Sequence, residues 1–137
     1  MCYFCGVHVH NSYSTLDGMG DSERFVKEAK KLGWDALGIS NHGNVCGTLV
    51  HYQNCKDAGI NPIIGSEVYF EANFDKDVAK TNKQRGGFSH LTLFAQNNIG
   101  YSNLMKITTE ANQEENFYYK PIVSMDNLKR NRDGLHC

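Results

Sequence analysis

The chain has 137 residues, 40% hydrophobic and 21% charged, which suits one packed domain or part of one and excludes a disordered chain. Fourteen basic against fifteen acidic side chains leave a formal net charge of −1, excluding a purely electrostatic nucleic-acid glove. No apolar run approaches the roughly 18 residues of a membrane span, and no export signal opens the chain, so a cytoplasmic protein without a membrane partner is expected.

In chain order, Val7–His10 alternates as a short strand. A helix follows, capped by Asp21 or Ser22, with Phe25, Val26, Ala29 and Leu32 at helical spacing and Gly33 at its end. Ala36–Ser40 is a short apolar run between turn residues, hence a buried strand. The spacing predicts a helix from Gly47 to Ala58 with Leu49, Tyr52 and Cys55 on one face. A third strand runs from Pro62 to about Phe70. Residues 71–87 turn polar, as a surface excursion or a hairpin. His90–Ala95 is a fourth strand, Tyr101–Ala111 a helix carrying Leu104, Ile107 and Thr108, and Ser124–Arg130 a short final helix. Strands separated by helices imply parallel βαβ units, in a barrel or an open sheet.

Five cysteines, Cys2, Cys5, Cys46, Cys55 and Cys137, form an odd set without an export signal and read as reduced thiols. Cys2 and Cys5 make a lone C-x-x-C with no second pair at zinc-finger spacing.

The chemistry lies in where His, Asp and Glu fall along the strands. His8 and His10 are two apart on a strand, so period two points both imidazoles to one face, where they can chelate a metal ion. Asp17 lies in the following loop and can swing back over the strand end. His42 comes just past the second strand. Glu67 sits in the third, where a buried carboxylate needs a partner, and Gly65 before it leaves room at the site. His90 begins its apolar run rather than ending it, which makes it the least expected member. His51, alone on a helix, reads as a satisfied core residue.

In parallel α/β folds the strand ends and βα loops converge on one rim. His, Asp and Glu gathered there suit zinc, manganese or iron. Glu67 is the natural bridging carboxylate for two cations about 3.5–4 Å apart, an arrangement whose usual chemistry is phosphoester hydrolysis. Lys56 and Lys83-Gln84-Arg85 could clamp a phosphate but read better as solvated surface charges.

Five stretches resemble one family in order and spacing. His8-Val9-His10-Asn11-Ser12-Tyr13-Ser14-Thr15-Leu16-Asp17-Gly18 is similar to the first motif of PHP (polymerase and histidinol phosphatase) domains, in the form found at the start of bacterial DNA polymerase III α subunits. Ile39–Gly47 resembles the second motif, Ala58–Tyr69 the third, Ser89–Leu104 the stretch after it, and Phe117-Tyr118-Tyr119-Lys120-Pro121 also fits. The resemblance implies a distorted (β/α)7 barrel, here incomplete: its first half, with about four parallel strands and intervening helices. Residues 1–137 would be the N-terminal portion of a single PHP domain, as a fragment, a split-gene product or a free-standing protein. By position, His8, His10, Asp17, His42, Glu67 and His90 match metal ligands for two or three divalent ions, with magnesium added to the candidates. Expected partners are the rest of the α subunit, DNA reached through the complete polymerase, and a proofreading exonuclease subunit. Some members act as 3′–5′ exonucleases or related phosphoesterases; in others the domain only supports or assembles the polymerase.

Three departures stand out. Asn41 replaces the family's Asp before the His, in a position resembling an outer-shell partner. The family's later ligands are missing, and Cys137 follows Gly134-Leu135 at a spacing shorter than theirs. No residues resembling polymerase palm carboxylates are present, so this chain alone cannot synthesise DNA.

Overall fold

The computed structural model describes residues 4–72, 75–82 and 87–137. Its elements are α1 (Ser22–Lys31), β1 (Ala36–Ile39), α2 (Thr48–Ala58), β2 (Asn61–Phe70), α3 (Lys76–Thr81), β3 (Ser89–Ala95), α4 (Asn98–Ala111), β4 (Phe117–Tyr118), β5 (Lys120–Val123), α5 (Met125–Arg130) and β6 (Leu135–His136). Helices α1, α4 and α5 start where short polar side chains satisfy their first amides. Asp21 accepts from Arg24 N, Asn97 from Ile99 N and Gly100 N, and Ser124 from Asn127 N.

β2 is the axis of the sheet. Along one edge it pairs in parallel with β1 through Asn61–Ile64, then bridges to His42 through Glu67, then pairs in parallel with β5 at Tyr69 and Phe70. Along the other edge it pairs with β3, antiparallel, from Gly65↔Phe94 to Phe70↔Ser89. The sheet order β4-β5-β2-β3-β6 does not close on itself among the described residues. This is a mixed α/β architecture, as the sequence predicts, but the fourth strand runs antiparallel rather than parallel. β2 and β3, consecutive strands in the chain, pair antiparallel like the arms of a long hairpin rather than as a crossover unit.

Two apolar clusters flank the sheet. Leu104, Ile107 and Ala111 of α4 pack on Val68, Leu93 and Val123. Val26 and Ala29 of α1 and Cys55 of α2 pack with Leu37 and Ile60. Side chains such as Leu104 and Ile107, fully buried, each contribute about 1.5–3 kcal/mol of burial free energy.

Three sequence expectations need correction. Val7–His10 forms no regular strand and bends at His8; it lies beside β1 through Gly38 N to Gly6 O (2.7 Å) and Ser40 N to Val9 O (2.8 Å). In α2 the buried face is Thr48, His51 and Cys55, while Leu49 and Tyr52 are exposed, because His51 inserts between α1 and β1 and sets the rotation of the helix. Gly65 leaves no room at the rim: a Cβ there would come within 2.5 Å of Phe94 Cδ1, so the space belongs to β3. Cys2 and Lys83–Arg85 lie outside the described residues. No helix among the described residues is long and apolar enough to cross a membrane.

Candidate metal centre

One end of the sheet gathers every predicted donor. β1 ends at Ile39, and His42 follows it within bridging distance of Glu67. β3 begins at Ser89, and its antiparallel course pairs His90 with Tyr69, two residues from Glu67. A residue that starts an antiparallel strand lies at the same end as residues that finish parallel ones. His90 therefore belongs to the rim for the reason that made it look misplaced.

Glu67 is the centre. Its side chain is 5% exposed and meets four imidazoles. His8 Nε2 and Glu67 Oε2 are in close contact, and His10 Nε2 lies 3.0 Å from the same oxygen. His90 Nδ1 lies 2.6 Å from Oε1, and His42 Nδ1 lies 3.9 Å from it. Asp17 closes the other side, its Oδ2 3.0 Å from His10 Nδ1 and 3.7 Å from His42 Nε2. The rings stand side by side, with centroid separations of 5.0 Å for His8–His10, 4.6 Å for His10–His42 and 5.0 Å for His42–His90. All six predicted ligands are thus brought together.

With neutral imidazoles the hydrogen-bond arithmetic of this cluster does not close. A neutral imidazole carries one N–H, yet both nitrogens of His10 face carboxylate oxygens. His42 Nδ1 is buried and has no hydrogen-bond partner. Burial drives the His42 pKa down, outweighing the pull of Glu67, so its ring is held neutral with a lone pair available. For Glu67, burial pushes the pKa up, but the imidazoles around it, through the His8 and His90 bonds above all, prevail and hold it below its ordinary value. An ionised carboxylate among lone-pair nitrogens is a donor set for cations. Three overlapping triads meet that description: His8–His10–Glu67, His10–Asp17–His42 and His42–Glu67–His90. Within each, donor atoms lie within 4.8 Å of one another, close to the span of ligands that bind one Zn²⁺ at about 2.0–2.2 Å each. Glu67, His10 and His42 each serve two triads.

Asn41 does not orient a ligand imidazole. Its Oδ1 accepts from Asn11 N at 3.0 Å, and its Nδ2 donates to Asn11 Oδ1 at 2.9 Å and to the Cys46 carbonyl at 3.2 Å. Its work is to tie the first motif, beside His10, to the loop that carries His42. Cys137 is exposed and belongs to none of the three triads; β6 pairs with Phe94 and Ala95, at the far end of β3 from His90. Lys56 is no phosphate clamp at the rim, since its ammonium lies over Tyr52 within α2.

Sequence reasoning missed Ser14 and Tyr69. The buried Ser14 hydroxyl donates to Asp17 Oδ2 at 3.0 Å and accepts from His42 N at 3.2 Å, setting the Asp17 loop against the second motif. The spacing Ser14-x-x-Asp17 is a local turn signature that could have marked it. Tyr69 stacks on His42 at 5.3 Å and 13° and meets His90 edge-on at 5.1 Å. Two residues after Glu67 on one strand, it shares that residue's face.

Comparison with known proteins agrees with this reading of the fold. The PHP domain family matches residues 6–137. The chain is 38% identical to the DNA polymerase III subunit alpha of Borreliella burgdorferi over 134 residues, which span 98% of this chain and 12% of that protein. It is 39% identical to the Treponema pallidum protein of the same name (98% and 11%) and 39% identical to that of Aquifex aeolicus (96% and 12%). The chain thus spans about a tenth of the length of these relatives. Among solved structures, a protein assigned as a metal-dependent phosphoesterase from Bifidobacterium adolescentis superposes with a TM-score of 0.56 at 19% identity, over 78% of this chain and 32% of that one, a likeness of fold. The chain belongs to the PHP domain family.

Proposed function

We propose that the rim binds two or three divalent cations, with zinc, manganese and iron the best matched to its imidazole-rich donors, and hydrolyses phosphoesters as a 3′–5′ exonuclease-like site. The chain would be the N-terminal portion of the PHP domain of a DNA polymerase III α-type protein. The rest of that subunit, DNA and a proofreading exonuclease subunit would be its partners, in the cytoplasm. The observation that carries the metal reading is the central carboxylate of Glu67, approached by nitrogens of four imidazoles.

His8, His10, Asp17, His42, Glu67 and His90 would hold the cations. Bound there, the cations supply charge neutralisation for a phosphoryl group and acidify water beside it. The protein's own part is to keep the donors arranged. Glu67 stays ionised because its neighbours favour the charged form; His42 stays neutral because it is buried; Ser14 holds Asp17 and the His42 backbone in register.

The test is purified full-length protein, loaded with Mn²⁺ or Zn²⁺ and given a 3′-labelled oligonucleotide and, separately, a phosphomonoester. Turnover that is lost in His10→Ala supports the reading. Bound metal with no His10-dependent turnover of either substrate contradicts it and makes the site a structural element of polymerase assembly.

A further inference from the structure

The β4–β5 hairpin supplies no metal donor, yet it is docked firmly beside the cluster. Pro121 packs on the loop after β1, where Gly43 has a φ of +63° and a Cβ would come within 2.6 Å of Pro121 Cγ. Asn112, which caps the end of α4, fixes the same loop by donating to the Gly43 carbonyl at 3.2 Å. At the hairpin tip a single residue, Tyr119, joins the paired positions Tyr118 and Lys120, and it takes a φ of +59°. Such a conformation is disfavoured for a bulky side chain and persists where the surroundings enforce it.

The consequence is the placement of Lys120. Its ammonium lies 5.1 Å from the centroid of Tyr69, the ring that stacks on His42 and abuts His90. A cation therefore sits one aromatic ring away from two donor imidazoles. Tyr69 is 5% exposed and acts as a fixed spacer, whereas Lys120 is open to solvent. The hairpin carries two further exposed aromatic side chains, Phe117 and Tyr119, and Phe88 packs edge-on against Tyr69.

From this geometry we infer that Lys120 binds the backbone phosphate next to the one presented to the donor cluster, so that the site selects a DNA strand over a small phosphomonoester. The inference rests on the phosphoesterase reading of the rim. A charge displaced from the donors by one ring is placed for a neighbouring phosphate rather than the reacting one. Aromatic side chains beside a cation are the usual platform for single-stranded bases. A chain of net charge −1 has no overall field to draw a strand in, so a local cation must do it.

The test compares wild type, Lys120→Met and Lys120→Arg in the full-length protein. Substrates are a single-stranded oligonucleotide and p-nitrophenyl phosphate. Binding of a 5′-phosphorylated thymidine dinucleotide and of thymidine monophosphate is measured alongside by titration calorimetry. The expected result for Lys120→Met is a KM for the oligonucleotide raised about tenfold with kcat little changed, and dinucleotide affinity reduced by a similar factor. Kinetics on p-nitrophenyl phosphate, monophosphate affinity and metal content should stay at wild-type values, and Lys120→Arg should recover most of the loss. An unchanged oligonucleotide KM, or equal losses on both substrates, overturns the inference and leaves the phosphoesterase reading intact. If no variant, wild type included, shows His10-dependent turnover, the phosphoesterase reading fails, and the dinucleotide titration decides alone: affinity equal in wild type and Lys120→Met overturns the role of Lys120.

Discussion

Histidine occupies two contrasting environments in this protein. His51 lies in the α1–α2–β1 core, 2% exposed, with Nδ1 2.9 Å from the Ser22 hydroxyl and Nε2 3.0 Å from the Leu37 carbonyl. Each nitrogen has a partner of the complementary kind, so a neutral ring satisfies the site completely. At the rim, both nitrogens of His10 face carboxylates and His42 Nδ1 faces nothing that bonds to it. His51 is closed by the fold; His8, His10, His42 and His90 are left open toward a shared centre. The difference separates a satisfied imidazole from an open one without reference to exposure, since His42 is itself largely buried.

That contrast can be broken in order of effect. Chelation should act on the rim alone. At free metal a thousandfold above its dissociation constant, removing the metal should lower stability by about 4 kcal/mol, read as a fall in the unfolding midpoint after EDTA dialysis. His51→Ala, which strands the Ser22 hydroxyl and the Leu37 carbonyl in the core, should cost about 2 kcal/mol in denaturant unfolding while leaving metal content at the wild-type level. A fall in bound metal in that variant would erase the distinction.

The smallest effect is on pH. Burial pulls the His51 pKa down, against a weaker upward pull from its bond to Leu37. Its folded value thus lies below the unfolded value of about 6.5, and between the two the unfolded chain binds the extra proton. The contribution of His51 to stability is complete above about pH 6.5 and declines as pH falls through that window. The difference in unfolding free energy between wild type and His51→Gln, which cannot titrate, should shrink on acidification from pH 7.5 to 5.5; a difference independent of pH would contradict the assignment.

Much of this contrast could be read from the residues. His51 stands alone on a helix and is a core residue, while the six rim donors fall within predicted strands or after them. What escaped was set by topology. His90 looked out of place only while every strand was taken as parallel; the direction of β3 depends on how residues 71–87 return, which side-chain periodicity does not encode. Segment Val7–His10 alternates like a strand but lacks the ladder, yet its two imidazoles still stand 5.0 Å apart. The face of α2 was misjudged because polar His51, not apolar Leu49, finds partners in the core. Lys120 lies 53 positions after Glu67, and only the parallel pairing of β5 with β2 brings it to the rim.

The central claim is that open imidazoles around Glu67 exist to hold cations. Elemental analysis of the purified full-length protein, with Glu67→Gln and His51→Ala beside it, tests this most directly. The account predicts stoichiometric transition metal in wild type and in His51→Ala, and its loss in Glu67→Gln with the fold retained by circular dichroism. Metal absent from wild type after loading, or equally present in Glu67→Gln, would contradict it.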